Sequence, residues 1–218
     1  MKKSGKRIIY LAFSLLICLL FVMVVYQVHR SLRTAETIER PWNLCLVNRD
    51  YAVPAGYHPP LLTLSNGQKV DERIYPDLQA MFDAARREGF DLHVASGYRT
   101  KQQQKEILYA RIKEYRKQGY GTKQATAEAE SYVALPDHSE HQLGLAIDIQ
   151  IKGNTNADAL YRWLEIHAHE YGFIQRYPKE KTDITGFSYE RWHYRYVGKE
   201  DAKTIFQRDL TLEEYLLH

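Results

Sequence analysis

Residues 136–151 read Pro136-Asp137-His138-Ser139-Glu140-His141-Gln142-Leu143-Gly144-Leu145-Ala146-Ile147-Asp148-Ile149-Gln150-Ile151, and the second half of this stretch decides the fold. Leu145 to Ile151 is apolar apart from Asp148 and Gln150, and its isoleucines favour a strand. Side chains alternate across a strand, so Leu145, Ile147 and Ile149 share one face while Ala146, Asp148 and Gln150 share the other. An acidic group in such a strand must be exposed, paired or metal-bound, because burying a bare carboxylate is costly. The face that carries Asp148 has the composition of a site floor. Gly144 permits a tight turn that folds His141 back over that carboxylate. On spacing alone a second reading stays open, in which His141 is an exposed loop histidine and Asp148 merely edges a sheet.

Working outward, helices and strands are interspersed without the regular alternation of a doubly wound parallel sheet. Leu44 to Val47 is a short strand candidate, and Tyr51 to Leu61, with three prolines, reads as a loop. Pro76-Asp77 opens a helix with Leu78, Met81, Phe82 and Ala85 at helical spacing, ended by Gly89. Leu92 to Ala95 reads as a buried strand. Thr100 and Gln103 form a capping box before a helix whose stripe is Ile107, Leu108, Ile112 and Tyr115. Lys123 to Val133 is a third, more exposed helix. Asn156 caps a helix carrying Leu160, Trp163, Leu164, Ala168 and Tyr171 and ending at Gly172. Phe173 to Tyr177 and Trp192 to Val197 are aromatic-rich strands. The pattern predicts an α+β fold with an antiparallel sheet flanked by helices.

The amino terminus differs from the rest. Lys2, Lys3, Lys6 and Arg7 precede a charge-free apolar run from Ile8 to Val28, whose 21 residues at a rise of ~1.5 Å match the ~30 Å hydrocarbon core of a bilayer. Gln27-Val28-His29-Arg30 offers no small-residue cleavage site, so the run reads as an uncleaved signal anchor. Charge bias places the amino terminus inside. The expected organisation is a cytoplasmic basic segment (1–7), a transmembrane helix (8–28), a linker (29–41) and an extracytoplasmic domain (42–218). The protein is then a single-pass cell-membrane protein. Beyond the anchor only Cys45 remains, so no intrachain disulfide can form there. A formal charge of +3 without a Lys/Arg-rich run after the anchor argues against nucleic acid. A substrate in the cell envelope fits better.

Two further clusters bear on chemistry. In Glu190-Arg191-Trp192-His193-Tyr194-Arg195-Tyr196-Val197, Glu190 stands three residues from His193. Catalytic zinc takes three protein ligands and leaves a position for water, and a nearby carboxylate can take that water's proton. In a straight strand Glu190 and His193 face opposite ways, so this role requires a turn around Arg191. A surface Glu and a sheet-packed His is the competing reading. The other cluster, Ser96-Gly97-Tyr98-Arg99-Thr100 with Gln104, sets a cation and a long amide at a strand-to-helix junction. Arg99 there can stabilise an oxyanion and Gln104 hold a substrate backbone, or Arg99 can pair with a structural carboxylate.

Together the three segments, S-G-Y-R-T with Gln104, S-E-H-x-x-G-L-A-I-D and E-x-W-H-Y-R-Y-V-G, resemble the VanY-type D-Ala-D-Ala carboxypeptidases. These belong with the LAS metallopeptidases (lysostaphin, D-alanyl-D-alanine peptidase, sonic hedgehog). The likeness extends to Leu46-Val47-Asn48 and Tyr171-Gly172-Phe173. The resemblance implies a hedgehog/DD-peptidase-like fold and one Zn2+ per chain on His141, Asp148 and His193. It implies Glu190 as catalytic base and then acid, Arg99 on the oxyanion, and Ser139 and Gln104 against substrate. The substrates implied are peptidoglycan stem peptides or their lipid-linked precursor. Close relatives also include L,D-carboxypeptidases acting on tetrapeptides, and the fold includes non-catalytic binding modules. Arg191 stands where relatives often carry Pro, and His138 is read as non-ligating.

Overall fold

The computed structural model describes residues 21–24, 26, 41–153 and 156–217. The chain divides into two units, Met1–Arg40 and Pro41–His218. The span expected over 8–28 lies outside the described residues except at 21–24 and 26, which are helical and exposed. Among the described residues no helix is long and apolar enough to cross a membrane.

The second unit begins with a two-stranded hairpin, β1 (Leu61–Thr63) and β2 (Lys69–Asp71). Then follow α1 (Tyr75–Arg87), β3 (Leu92–Ser96), α2 (Lys101–Lys117), α3 (Thr122–Glu130) and β4 (Ala146–Ile151). The rest of the chain supplies α4 (Ala157–His167), β5 (Phe173–Gln175), α5 (Thr182–Thr185), β6 (His193–Tyr196), α6 (Lys199–Gln207) and α7 (Leu212–Leu217). The main sheet runs β3-β4-β6-β5 and is antiparallel throughout, as the interspersed pattern predicts.

Alternation along the two central strands separates a greasy face from a chemical one. Ile147, Ile149 and Tyr194 join Leu78 and Met81 of α1 and Leu160 and Leu164 of α4 in the main core, all almost fully buried. The opposite face presents Asp148 directly across from His193, and Ala146 across from Arg195. Asp148 also pairs with Ser96 on β3, after a register shift between Val94 and Ser96. Burying the apolar face fixes this register, because a slip of one residue would turn Asp148 and His193 into the core.

The expected helices form. Thr100 accepts from the Gln103 backbone N–H while Gln103 returns the bond, completing the capping box of α2. Asn156 accepts from the N–H groups of Asp158 and Ala159 at the start of α4. Two expectations need correction. Leu44 to Val47 is not a strand: Trp42–Leu44 is a 3-10 turn, and the buried segment after it has no ladder partner. The Asn43 and Cys45 carbonyls accept instead from the Arg195 guanidinium. In α2 Leu108 is buried with Ile112 and Tyr115 packed against its cluster, whereas Ile107, expected in the same stripe, is exposed and lines a cleft.

Candidate active site

His141 sits on a 3-10 turn, Glu140–Leu143, immediately before β4. Gly144 ends that turn with φ +73, a conformation that penalises any side chain. The turn therefore folds back, as anticipated, and sets His141 Nε2 3.5 Å from Asp148 Oδ2. His141 Nδ1 lies 2.7 Å from the Gly97 carbonyl. Nδ1 must carry the hydrogen to make that bond, which leaves the Nε2 lone pair facing the carboxylate. Burial, and then the Arg99 charge, hold His141 down to about 4, so the ring is neutral at physiological pH.

His193 approaches the same carboxylate from β6, with Nδ1 3.1 Å from Asp148 Oδ1. The ligand atoms of His141, Asp148 and His193 all fall within 4.8 Å of one another. Two imidazole nitrogens and one carboxylate oxygen, buried on the protein side and facing a cleft on the other, match the donor set of a catalytic zinc site. Burial would push Asp148 up, but the two imidazoles beside it hold it well below the carboxylate range. Burial likewise opposes charge on His193, yet Asp148 and Glu140 raise it to about 9 in the metal-free protein. A metal held by this side chain would take the place of that proton.

The turn required around Arg191 is present. The His193 N–H reaches the Glu190 carbonyl at 3.3 Å, and this brings Glu190 Oε2 to 3.7 Å from His193 Nδ1. Glu190 thus lies on the cluster's side of the strand. Burial pushes its carboxyl up to about 7, against the opposing pull of His193. Arg191, in the place where Pro is common, is anchored through Asp158 of α4 at 2.6 Å and lies over the Tyr161 ring.

Arg99 donates to Asp148 Oδ2 at 2.8 Å, to Ser96 Oγ at 2.8 Å and to Gln104 Oε1 at 3.3 Å. Gln104 is buried, and its amide nitrogen donates to the Ala134 carbonyl. Ser139 is buried at the base of the same cleft, whose volume is about 420 Å³. All seven site residues expected from the sequence line this one cleft. Three other histidines are engaged elsewhere. His138 Nδ1 meets the Asn48 carbonyl, His167 pairs with Glu170, and His169 stacks on Phe206.

With this geometry in hand, the comparisons are specific. The family model VanY: D-alanyl-D-alanine carboxypeptidase matches residues 67–199, which include all three segments. The chain belongs to the VanY family. A D-alanyl-D-alanine carboxypeptidase of Enterococcus faecalis is 52% identical over 179 residues, covering 82% of this chain and 67% of the relative. A crystal structure of a mutant vancomycin resistance D,D-pentapeptidase VanY, from a VanB-type resistance cassette and in complex with Zn(II), superposes with a TM-score of 0.79 at 52% identity. It covers 81% of this chain and 99% of that one. A structure of VanYB with D-Alanine-D-Alanine also gives 0.79 and 52%, covering 81% and 98%. This VanY-family protein is therefore a peptidase, the enzyme class that the resemblance implied.

What the sequence did not single out lies behind the cluster. Glu140, Arg176 and Arg195 have fully buried side chains, joined by hydrogen bonds of 2.8 Å from both arginines to Glu140 Oε1. Arg176 continues to Glu213, which also accepts from Asn48. The available signal was two arginines in strands otherwise rich in aromatic and apolar residues.

Proposed function

We propose that this chain is a zinc-dependent D,D-carboxypeptidase that removes the terminal D-alanine from peptidoglycan stem peptides. The observation that carries the reading is the cluster of His141, Asp148 and His193 at the floor of a cleft beside Glu190, in a chain half identical to relatives described with Zn(II) and with D-Alanine-D-Alanine. Zinc, held by these three side chains, supplies Lewis-acid polarisation of the scissile carbonyl and eases deprotonation of the attacking water.

The chain's own residues do the rest. Glu190 Oε2 takes the proton of the attacking water and passes it to the departing amine, a double role suited to a carboxyl held near neutrality. Arg99, fixed by Ser96 and Gln104, turns its guanidinium to the oxygen that gains negative charge. Gln104 and Ser139 border the space where the peptide backbone lies.

The test is to incubate the purified chain with a pentapeptide stem ending in D-Ala-D-Ala and with a tetrapeptide stem, and to weigh the products. The pentapeptide loses one alanine; a chelator stops the reaction and added zinc restores it. Shortening of the tetrapeptide alone would establish L,D specificity. Binding without cleavage of either peptide would establish a wall-binding module.

The same reading places residues 8–28 across the cell membrane, with 1–7 cytoplasmic, 29–41 as a linker and 42–218 outside. The supporting features are the length of the apolar run and the basic residues before it. That tether holds the site near new wall and lipid-linked precursor. Protease added to intact protoplasts then digests the domain; full protection of the domain would overturn the topology.

A further inference from the structure

Glu140 Oε2 and His193 Nε2 are both buried and both lack a hydrogen-bond partner. They face each other at 3.6 Å. Buried polar atoms seldom go unpaired, so two such atoms aimed at one another in the same core require an explanation. The other ends of both groups are accounted for. Glu140 Oε1 is gripped by Arg176 and Arg195, and His193 Nδ1 faces Asp148 and Glu190. The His193 ring is further packed against Tyr177, with centroids 4.9 Å apart.

We propose that Glu140 is the positioning residue for His193: it accepts the Nε2 hydrogen of the imidazole and thereby fixes the tautomer that offers Nδ1 to the metal. A neutral imidazole carries a single N–H, so a hydrogen held at Nε2 leaves the lone pair at Nδ1. Closing 3.6 Å to an ordinary N–H···O length of about 3 Å takes a small displacement of the ring, in the core strand that also carries Arg195. Carboxylates behind metal-bound imidazoles orient the ring and raise its basicity.

The arginines show how much structure is devoted to this one carboxylate. Arg176 is the residue after β5 and Arg195 lies in β6, and their side chains are fully shielded from solvent. Buried ion networks are often no more stable than apolar replacements of the same volume, so stability alone gives little reason to keep this one. Its geometry supplies a different reason: with Oε1 clamped from two sides, Oε2 has one direction left, toward His193. Arg195 is held in turn by the carbonyls of Asn43, Cys45 and Tyr196, and Arg176 by Glu213.

This inference rests on the zinc reading of the cluster, and its test separates the two. Zinc affinity is measured by chelator competition for the wild-type chain, Glu140→Gln and Glu213→Gln. Glu213→Gln perturbs the same arginine network without touching the His193 ring, so it controls for loss of structure. Glu140→Gln weakens zinc binding about 10–100-fold, and Glu213→Gln leaves it near the wild-type value. Equal weakening in both variants, or none in Glu140→Gln, overturns the proposal; absence of zinc binding by the wild type would overturn the zinc reading itself. If Glu140→Gln does not fold, nitrogen-15 spectra of histidine-labelled wild-type protein loaded with zinc decide the matter. A slowly exchanging Nε2–H on His193 is expected, and a hydrogen at Nδ1 would sink the idea.

Discussion

Replacing Glu190 with Gln lowers kcat on a D-Ala-D-Ala-terminated peptide by about 10²–10⁴-fold, while one zinc per chain stays bound. The amide has nearly the volume of the carboxyl, so the packing around this buried side chain is kept. The three side chains proposed to hold the zinc, His141, Asp148 and His193, are unaltered. What the variant lacks is a group that can accept a proton from water and return it to the leaving amine. Such a loss falls on kcat and leaves KM little changed, because the carboxyl contributes to the transition state more than to ground-state binding. Steady-state kinetics together with metal analysis of the same sample check both halves. A kcat within a few-fold of wild type would remove Glu190 from the role of base, and loss of zinc would make it a ligand.

How far this site was legible depends on where each residue's partner lies. Asp148 announced itself, because a carboxylate in a run of isoleucines is anomalous within one strand. The capping boundaries of α2 and α4 were equally local, and both caps formed where Thr100 and Asn156 stood. The turn at Arg191 was a condition of reading Glu190 as the base, not something its own segment announced, and the structure supplies it. Glu140 was invisible by contrast: between Ser139 and His141 it resembles any acidic loop residue, and its meaning comes from Arg176 and Arg195, 36 and 55 residues away. Leu44 to Val47 had the apolar composition of a strand, but the Cys45 carbonyl within it and the Asn43 carbonyl just before it accept from the Arg195 side chain of β6. The β1–β2 hairpin went unread, although Asn66-Gly67 is a turn signal, because its strands are only three residues long.

The hairpin also explains the second large effect, expected for Gly97→Ala. A Cβ built at Gly97 would stand 2.1 Å from the Lys69 carbonyl oxygen, far inside any tolerable contact. That oxygen cannot retreat cheaply, since it accepts from the Tyr98 N–H at 2.6 Å and Lys69 pairs with Thr63 in the β1–β2 ladder. Residue 97 must move instead, and its own carbonyl is the acceptor that fixes His141 Nδ1 at 2.7 Å. One methyl group therefore disturbs both the seam between the hairpin and β3 and the orientation of His141, a proposed metal ligand. Overpacking of this kind costs about 1–3 kcal/mol, read as a lower urea midpoint at unchanged slope. Loss of the carbonyl partner weakens zinc affinity by about 10–100-fold in the same protein. Gly121→Ala is the control, because its Cβ meets nothing within 4 Å and it lies at the start of α3. Wild-type stability in Gly97→Ala would deny the close approach. A destabilised variant with unchanged zinc affinity would show that Gly97 supports the fold without setting the His141 ring.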